Sequence, residues 1–176
     1  MNFKNLSFFF GLIFIASTMM VAQDFEYIGA AKCKMCHNKT TTGAQYKVWS
    51  AAAHSKAMES LSSEASLKYA AENGIADPTT DATCIKCHST FGSINPDLNA
   101  GVKITEGVSC ESCHGPGSKY KSNTIMKDQA KAIANGLLIP TEETCLGCHN
   151  EENPFHKPFN YEESLKKIAH PIPAAE

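Results

Sequence analysis

The N-terminal stretch carries an apolar run, Leu6 to Ala16, rich in Phe, Leu and Ile. Lys4 is the only charge before Asp24, and Ala22 and Gln23 follow the run. This is the layout of an export signal over residues 1–23, leaving a mature domain of residues 24–176. The run is short for a membrane span, an uncleaved anchor being the alternative. No Cys lies near the cleavage zone to take a lipid, and the absence of Arg excludes a twin-Arg signal. The pattern therefore predicts a periplasmic chain with no stable membrane insertion once the signal is removed.

Beyond the signal, the apolar positions predict short helices. His54, Ala57, Met58 and Leu61 recur at i, i+3, i+4 and i+7, giving an amphipathic helix over Tyr46 to Leu61. Ser63 to Asn73 reads as a second helix closed by Gly74, and Asp77 to Thr83 as a turn. Ser89 to Thr105, rich in Gly, Asn and Pro, reads as a surface loop. Asp128 to Asn135 is a short helix with an Asp cap and Gly136 behind it. Glu162 to Ala169 is the final helix, with Lys166 and Lys167 in its last turn. His170 stands at its end, before Pro171.

Between these elements one pattern occurs four times. Cys33-Lys-Met-Cys36-His37, Cys84-Ile-Lys-Cys87-His88, Cys110-Glu-Ser-Cys113-His114 and Cys145-Leu-Gly-Cys148-His149 use all eight cysteines. Cys-x-x-Cys-His is the pattern of covalent c-type haem attachment. Two thiols one helical turn apart each close a thioether onto a haem vinyl group, and the adjacent His becomes the proximal iron ligand. Zinc sites and disulfide frameworks also use Cys-x-x-Cys, but neither calls for His directly after every second Cys. The second and fourth motifs share a lead-in, Thr80-Asp-Ala-Thr83 and Thr141-Glu-Glu-Thr144. There a Thr is expected to cap a short helix whose positive end faces acids. The motifs start 51, 26 and 35 residues apart, which makes the second and third the expected neighbours.

A mature chain of about 153 residues provides fewer than 40 per haem. So little protein cannot enclose each macrocycle separately. The expected fold is mainly α: short helices and long loops around four closely packed, covalently attached haem c groups. From residue 24 onward, 15 Lys face 18 acids, and no basic stripe marks a nucleic-acid partner. The balance permits docking on redox proteins without naming one.

Seven His are present, four of them inside the motifs. Three remain as distal ligands for four irons, so at least one haem takes another ligand or keeps an open position. His54, on the apolar helix face, and His170 are read as distal ligands. His156, between Pro154 and Pro158, is either a ligand or a solvent-facing loop residue. Met126 and Lys119 are the non-His candidates, Lys only when deprotonated. Met58 and Trp49 are read as packing against a macrocycle.

The chain resembles the tetrahaem cytochrome c-554 family. The resemblance rests on Tyr27-Ile28-Gly29, Trp49-Ser50 leading to His54, and Gly107 to Gly117. Ile139-Pro140-Thr141-Glu142-Glu143 and Lys166-Lys167-Ile168-Ala169-His170-Pro171 complete it. It implies a mostly helical domain with stacked haems and electron transfer outside the cytoplasmic membrane. The family's type member takes electrons from hydroxylamine oxidation and has three bis-His haems and one five-coordinate, high-spin haem. The family also supplies a distal His shortly beyond the third motif, where this chain has Ser118-Lys119-Tyr120.

Two functions follow as expectations. The first is a periplasmic electron carrier. The second is a haem enzyme that binds or reduces nitric oxide, nitrite or hydroxylamine at an open iron. No Arg offers an anion clamp, and no motif marks a general acid, which favours the carrier. A haem-based sensor would need an output domain that the chain does not display.

Overall fold

A computed structural model describes residues 25–170. The expected signal, residues 1–23, and Pro171 lie outside that range. Among the described residues there are eleven α-helices, none longer than nine residues. They are α1 (Ala30–His37), α2 (Gln45–Ala51), α3 (Ala57–Ser60), α4 (Glu64–Glu72), α5 (Ala82–His88) and α6 (Thr90–Ser93). α7 (Cys110–His114), α8 (Asn123–Met126), α9 (Gln129–Ala134), α10 (Glu142–Leu146) and α11 (Tyr161–Ile168) follow. The β structure described is a single parallel bridge between Tyr27 and Asn99. No described helix is long and apolar enough to cross a membrane.

Local capping explains several boundaries. Ser63 accepts from the Ser66 N–H at the start of α4, and Gly74 takes φ +72° just beyond its end. Asp128 caps α9 through the Lys131 N–H, and Asn160 caps α11 through the Glu163 N–H.

The expected continuous helix over Tyr46 to Leu61 is instead three pieces. α2 stops at Ala51, Ala52 is extended, Ala53–Lys56 forms a 3-10 turn, and α3 follows. The cause is tertiary. The His54 carbonyl accepts the Val108 N–H at 2.9 Å, and the Trp49 indole donates to the Val108 carbonyl at 2.9 Å. The segment therefore trades part of its helical ladder for hydrogen bonds to the segment leading into the third motif. Gly107, at φ +65°, permits the contact, since a Cβ there would meet the His54 carbonyl oxygen at 2.5 Å.

The stretch expected as a surface loop, Ser89 to Thr105, begins with two of the most deeply buried side chains. Ser89 is 1 % exposed and Thr90 is fully buried. The Thr90 hydroxyl accepts the Ser109 N–H at 2.7 Å and shares hydrogen bonds with the Ser109 and Ser112 hydroxyls at 2.9 and 2.7 Å. It joins the exit of the second motif to the first turn of the third. Polar residues are buried here because each finds a partner. Thr90→Val keeps the shape but strips three groups of their common partner, an expected loss of about 2–3 kcal/mol. Thr90→Ser should lose far less. Equal denaturant midpoints for parent and valine variant would count against the junction.

Seven apolar residues are buried among those described: Ile28, Ala30, Leu61, Ala70, Val102, Tyr120 and Ala132. Other large apolar side chains, including Leu138, Ile139, Leu146 and Phe155, face outward beside the third, fourth and second motifs. This is a mainly helical fold whose apolar surface is directed at the attachment motifs.

Candidate functional site

Each motif sits on, or at the end of, a short helix with its own stop. α1 carries the first motif and α5 the second. α7 holds the third and ends at His114, where Gly115 turns to φ +72°. α10 starts the fourth and ends at Leu146, leaving Cys148 and His149 in the turn beyond it. The fourth motif uses its threonines as expected, the Thr144 hydroxyl accepting the Thr141 N–H at 3.1 Å. The second does not. Asp81 is its cap, accepting from both the N–H and the hydroxyl of Thr83, because a carboxylate reaches the free amides more effectively.

The motif imidazoles are oriented by acceptors that the sequence reading missed. His88 Nδ1 lies 2.8 Å from the Ala57 carbonyl, and His114 Nδ1 lies 3.2 Å from the Leu138 carbonyl. A carbonyl only accepts, so the Nδ1 atoms carry the protons and Nε2 keeps its lone pair for a metal. His37 Nδ1 faces Gln45 Oε1 at 3.2 Å in the same way. His149 stacks on Phe159 with ring centres 5.0 Å apart. Acceptors behind ligating histidines are the outer shell that fixes ring orientation and basicity. Main-chain carbonyls leave no trace in a motif, so only Gln45, eight residues past His37, had a residue-level signal.

Two further imidazoles face motif histidines. His54 stands 6.1 Å, centre to centre, from His149, and His170 stands 5.8 Å from His114. Imidazoles sharing one metal through nitrogens about 2 Å from it hold their ring centres about 6 Å apart. His170 Nδ1 is buried with no hydrogen-bond partner, leaving a nitrogen available to a metal. Burial, the largest cause, holds His54, His114, His149 and His170 below the ordinary histidine pKa. Each is reinforced by a neighbouring imidazole. The four therefore stay neutral, the form that binds metal.

The remaining candidates are not brought to a motif histidine in this way. His156 is exposed, near enough to His149 only to influence its titration. Met126 is half-buried at the end of α8, and Lys119 is exposed. In the segment Ser118-Lys119-Tyr120, Tyr120 is buried with its hydroxyl donating to the His114 and Gly115 carbonyls. Among ring contacts of the described residues, His37 and His88 have no imidazole partner.

All eight cysteines are free of disulfides. The Cys33 thiol donates to the Gly29 carbonyl at 3.8 Å. Cys33 and Cys110, and Cys148 and Cys87, lie near enough to influence each other's titration, and Cys113 and Cys145 lie within electrostatic reach. The thiols thus meet in the order first, third, fourth, second motif. Sequence spacing pointed to the second and third motifs as neighbours, and the fold joins those two through Thr90. Cys84, Cys87 and His88 line a cavity of about 460 Å³ whose far side includes Tyr69, Pro154 and Phe155.

The site fits haem on its own observations. There are four thiol pairs one helical turn apart, three proximal imidazoles with an acceptor at Nδ1, two imidazole pairs at a separation that suits a shared metal, and apolar side chains beside the motifs. Among the described residues no three His, Cys, Asp or Glu converge on a common metal point, as a structural zinc site would need. The fold and site define a multihaem c-type cytochrome.

The family model for cytochrome c554 and c-prime matches residues 32–115. Cytochrome c-554 of Nitrosomonas europaea is 33 % identical over 158 residues, covering 78 % of this chain, and the chain spans 63 % of that relative's length. The solved structure of the reduced state of cytochrome c554 from Nitrosomonas europaea superposes with a TM-score of 0.54 at 29 % identity. That match covers 82 % of this chain and 78 % of the other. The chain is thus similar to members of the cytochrome c554 family in sequence and fold, and it carries four covalently attached haem c groups.

Proposed function

We propose that this protein is a periplasmic electron carrier that passes electrons between redox protein partners. The observation supporting this reading is the crowding of four attachment motifs into one small domain, with α1 packed on α7 and the second motif joined to the third through Thr90. Each haem, when bound, supplies a reversible one-electron couple at its iron. The protein's share is positional. Cys33, Cys36, Cys84, Cys87, Cys110, Cys113, Cys145 and Cys148 fix the groups covalently, and His37, His88, His114 and His149 hold the irons. His54 completes the fourth centre and His170 the third, favouring low potentials there. Export fits the Leu6 to Ala16 run and the covalent attachment chemistry.

A second reading has one observation in its favour. The cavity at the second motif contains His88 and no other His and no Met among its lining residues.

Low-temperature EPR of the matured, oxidised protein tests both readings. Two imidazole pairs among seven His predict that half of the iron is low-spin bis-His and half, at His37 and His88, is not. Nitric oxide should shift a high-spin signal. Four low-spin haems would overturn the open-site reading and bring Met126, Lys119 or His156 in as ligands.

A further inference from the structure

We propose that the exposed surface around the first attachment motif is the docking site for an acidic redox protein. This rests on the carrier reading and adds where a partner binds and what charge it bears. Lys32 and Lys34 on α1, Lys39 behind it and Lys47 on α2 are all exposed. None takes part in an ion pair among the described residues, where Lys68, Lys86 and Lys131 do. Lys34 Nζ lies 5.1 Å from the centre of the Tyr46 ring, so the α1 charge extends over α2 toward Lys47.

Two of the local acids are engaged by main-chain amides, and the exposed Glu26 and Glu59 are outnumbered by the lysines. Glu111 is buried on the Ile28, Gly29 and Gly117 amides, and Glu106 accepts the Ala30 N–H. Amid the lysines, Met35 is 69 % exposed beside the exposed Cys36. An apolar point inside a charged rim, next to a haem attachment, has the anatomy of a protein interface.

The charge is also polarised across the chain. Residues 25–60 hold five Lys against Glu26 and Glu59, whereas residues 141–163 hold six Glu against Lys157. Glu142 and Glu162 line one cleft between α10 and α11, which gathers that negative charge beside the fourth motif. An acidic partner is drawn to the first motif and turned away from the fourth, and such fields raise association rates about 10- to 1,000-fold. Electrons would then enter at the first attachment site, one end of the thiol order.

The test uses the matured full-length protein and two reductants, flavodoxin hydroquinone as an acidic protein donor and reduced lumiflavin as an uncharged small one. The flavodoxin rate should fall about tenfold or more as salt rises from low to physiological. The variant Lys32→Gln/Lys34→Gln/Lys39→Gln/Lys47→Gln should lose about tenfold at low salt, along with most of the salt dependence. Its lumiflavin rate should stay at the parent value. Calorimetric affinity for oxidised flavodoxin should drop in parallel, and Glu142→Gln/Glu162→Gln/Glu163→Gln, which removes repulsion, should lower neither quantity. An unaltered lysine variant, or an equal fall in both variants, would overturn the proposal. So would salt-sensitive self-association in sedimentation, which would make a second copy's acidic face the occupant. Failure of lumiflavin to reduce the parent would remove the carrier reading itself, and this surface with it.

Discussion

Glu111→Ala should leave the matured protein largely unfolded under conditions where the parent is stable. Glu111 is 2 % exposed, and its carboxylate accepts three main-chain N–H groups. Gly29 and Gly117 donate at 2.7 Å each, and Ile28 donates across both oxygens at 2.9 and 3.0 Å. The side chain thus ties the segment leading into α1 to both ends of the third motif. Alanine orphans all three donors at about 1–3 kcal/mol each, and charged acceptors stand at the upper end of that range. A loss of about 4 kcal/mol or more is a large part of the roughly 5–15 kcal/mol that holds a domain folded. Glu111→Gln should fall between, because its amide can present an acceptor to some of the donors but sets N–H against another. Chemical denaturation followed by circular dichroism checks the series. An alanine variant with the parent's midpoint would show that Glu111 is a bystander.

His54→Ala and His170→Ala should each convert one quarter of the iron from low-spin to high-spin. His54 stands opposite His149, and His170 opposite His114. Truncation leaves the facing iron with a single protein nitrogen. The potential of that centre should rise by on the order of 0.1 V, within the roughly 0.8 V over which axial ligands move haem potentials. Imidazole added to the solution should restore the low-spin signal, which a merely loosened fold would not allow. The His54 variant should keep its backbone geometry, since the Val108 N–H and the Trp49 indole hold that turn through main-chain carbonyls. Unchanged spin states in both variants would dismiss the assigned pairs.

The attachment chemistry was legible in the chain because it is local. Two thiols and an imidazole within five residues carry their own geometry, and the short capped helices around them follow from neighbouring Ser, Asp and Asn. His54 and His170 could be picked out by counting ligands against irons. Which iron each one faces could not, because His54 and His149 are 95 residues apart and only the fold brings them together. The same limit explains the broken helix after Tyr46, where apolar periodicity is blind to the Val108 edge that competes for its carbonyls. It also explains Thr90 and Glu111. A polar residue in a Gly- and Asn-rich stretch, or inside a motif, reads as exposed unless the distant groups that satisfy it are known.

The scarcity of buried apolar side chains has a consequence for how the protein is made. With only Ile28, Leu61, Val102 and a few small or aromatic companions enclosed among the described residues, the polypeptide alone has little driving force for collapse. The newly exported chain should therefore remain open to the attachment machinery and to proteases alike. Structure would be acquired as the prosthetic groups are joined, much as small metal domains order only on binding. Abundance in the cell should then track haem supply, with unfinished chains open to proteolysis.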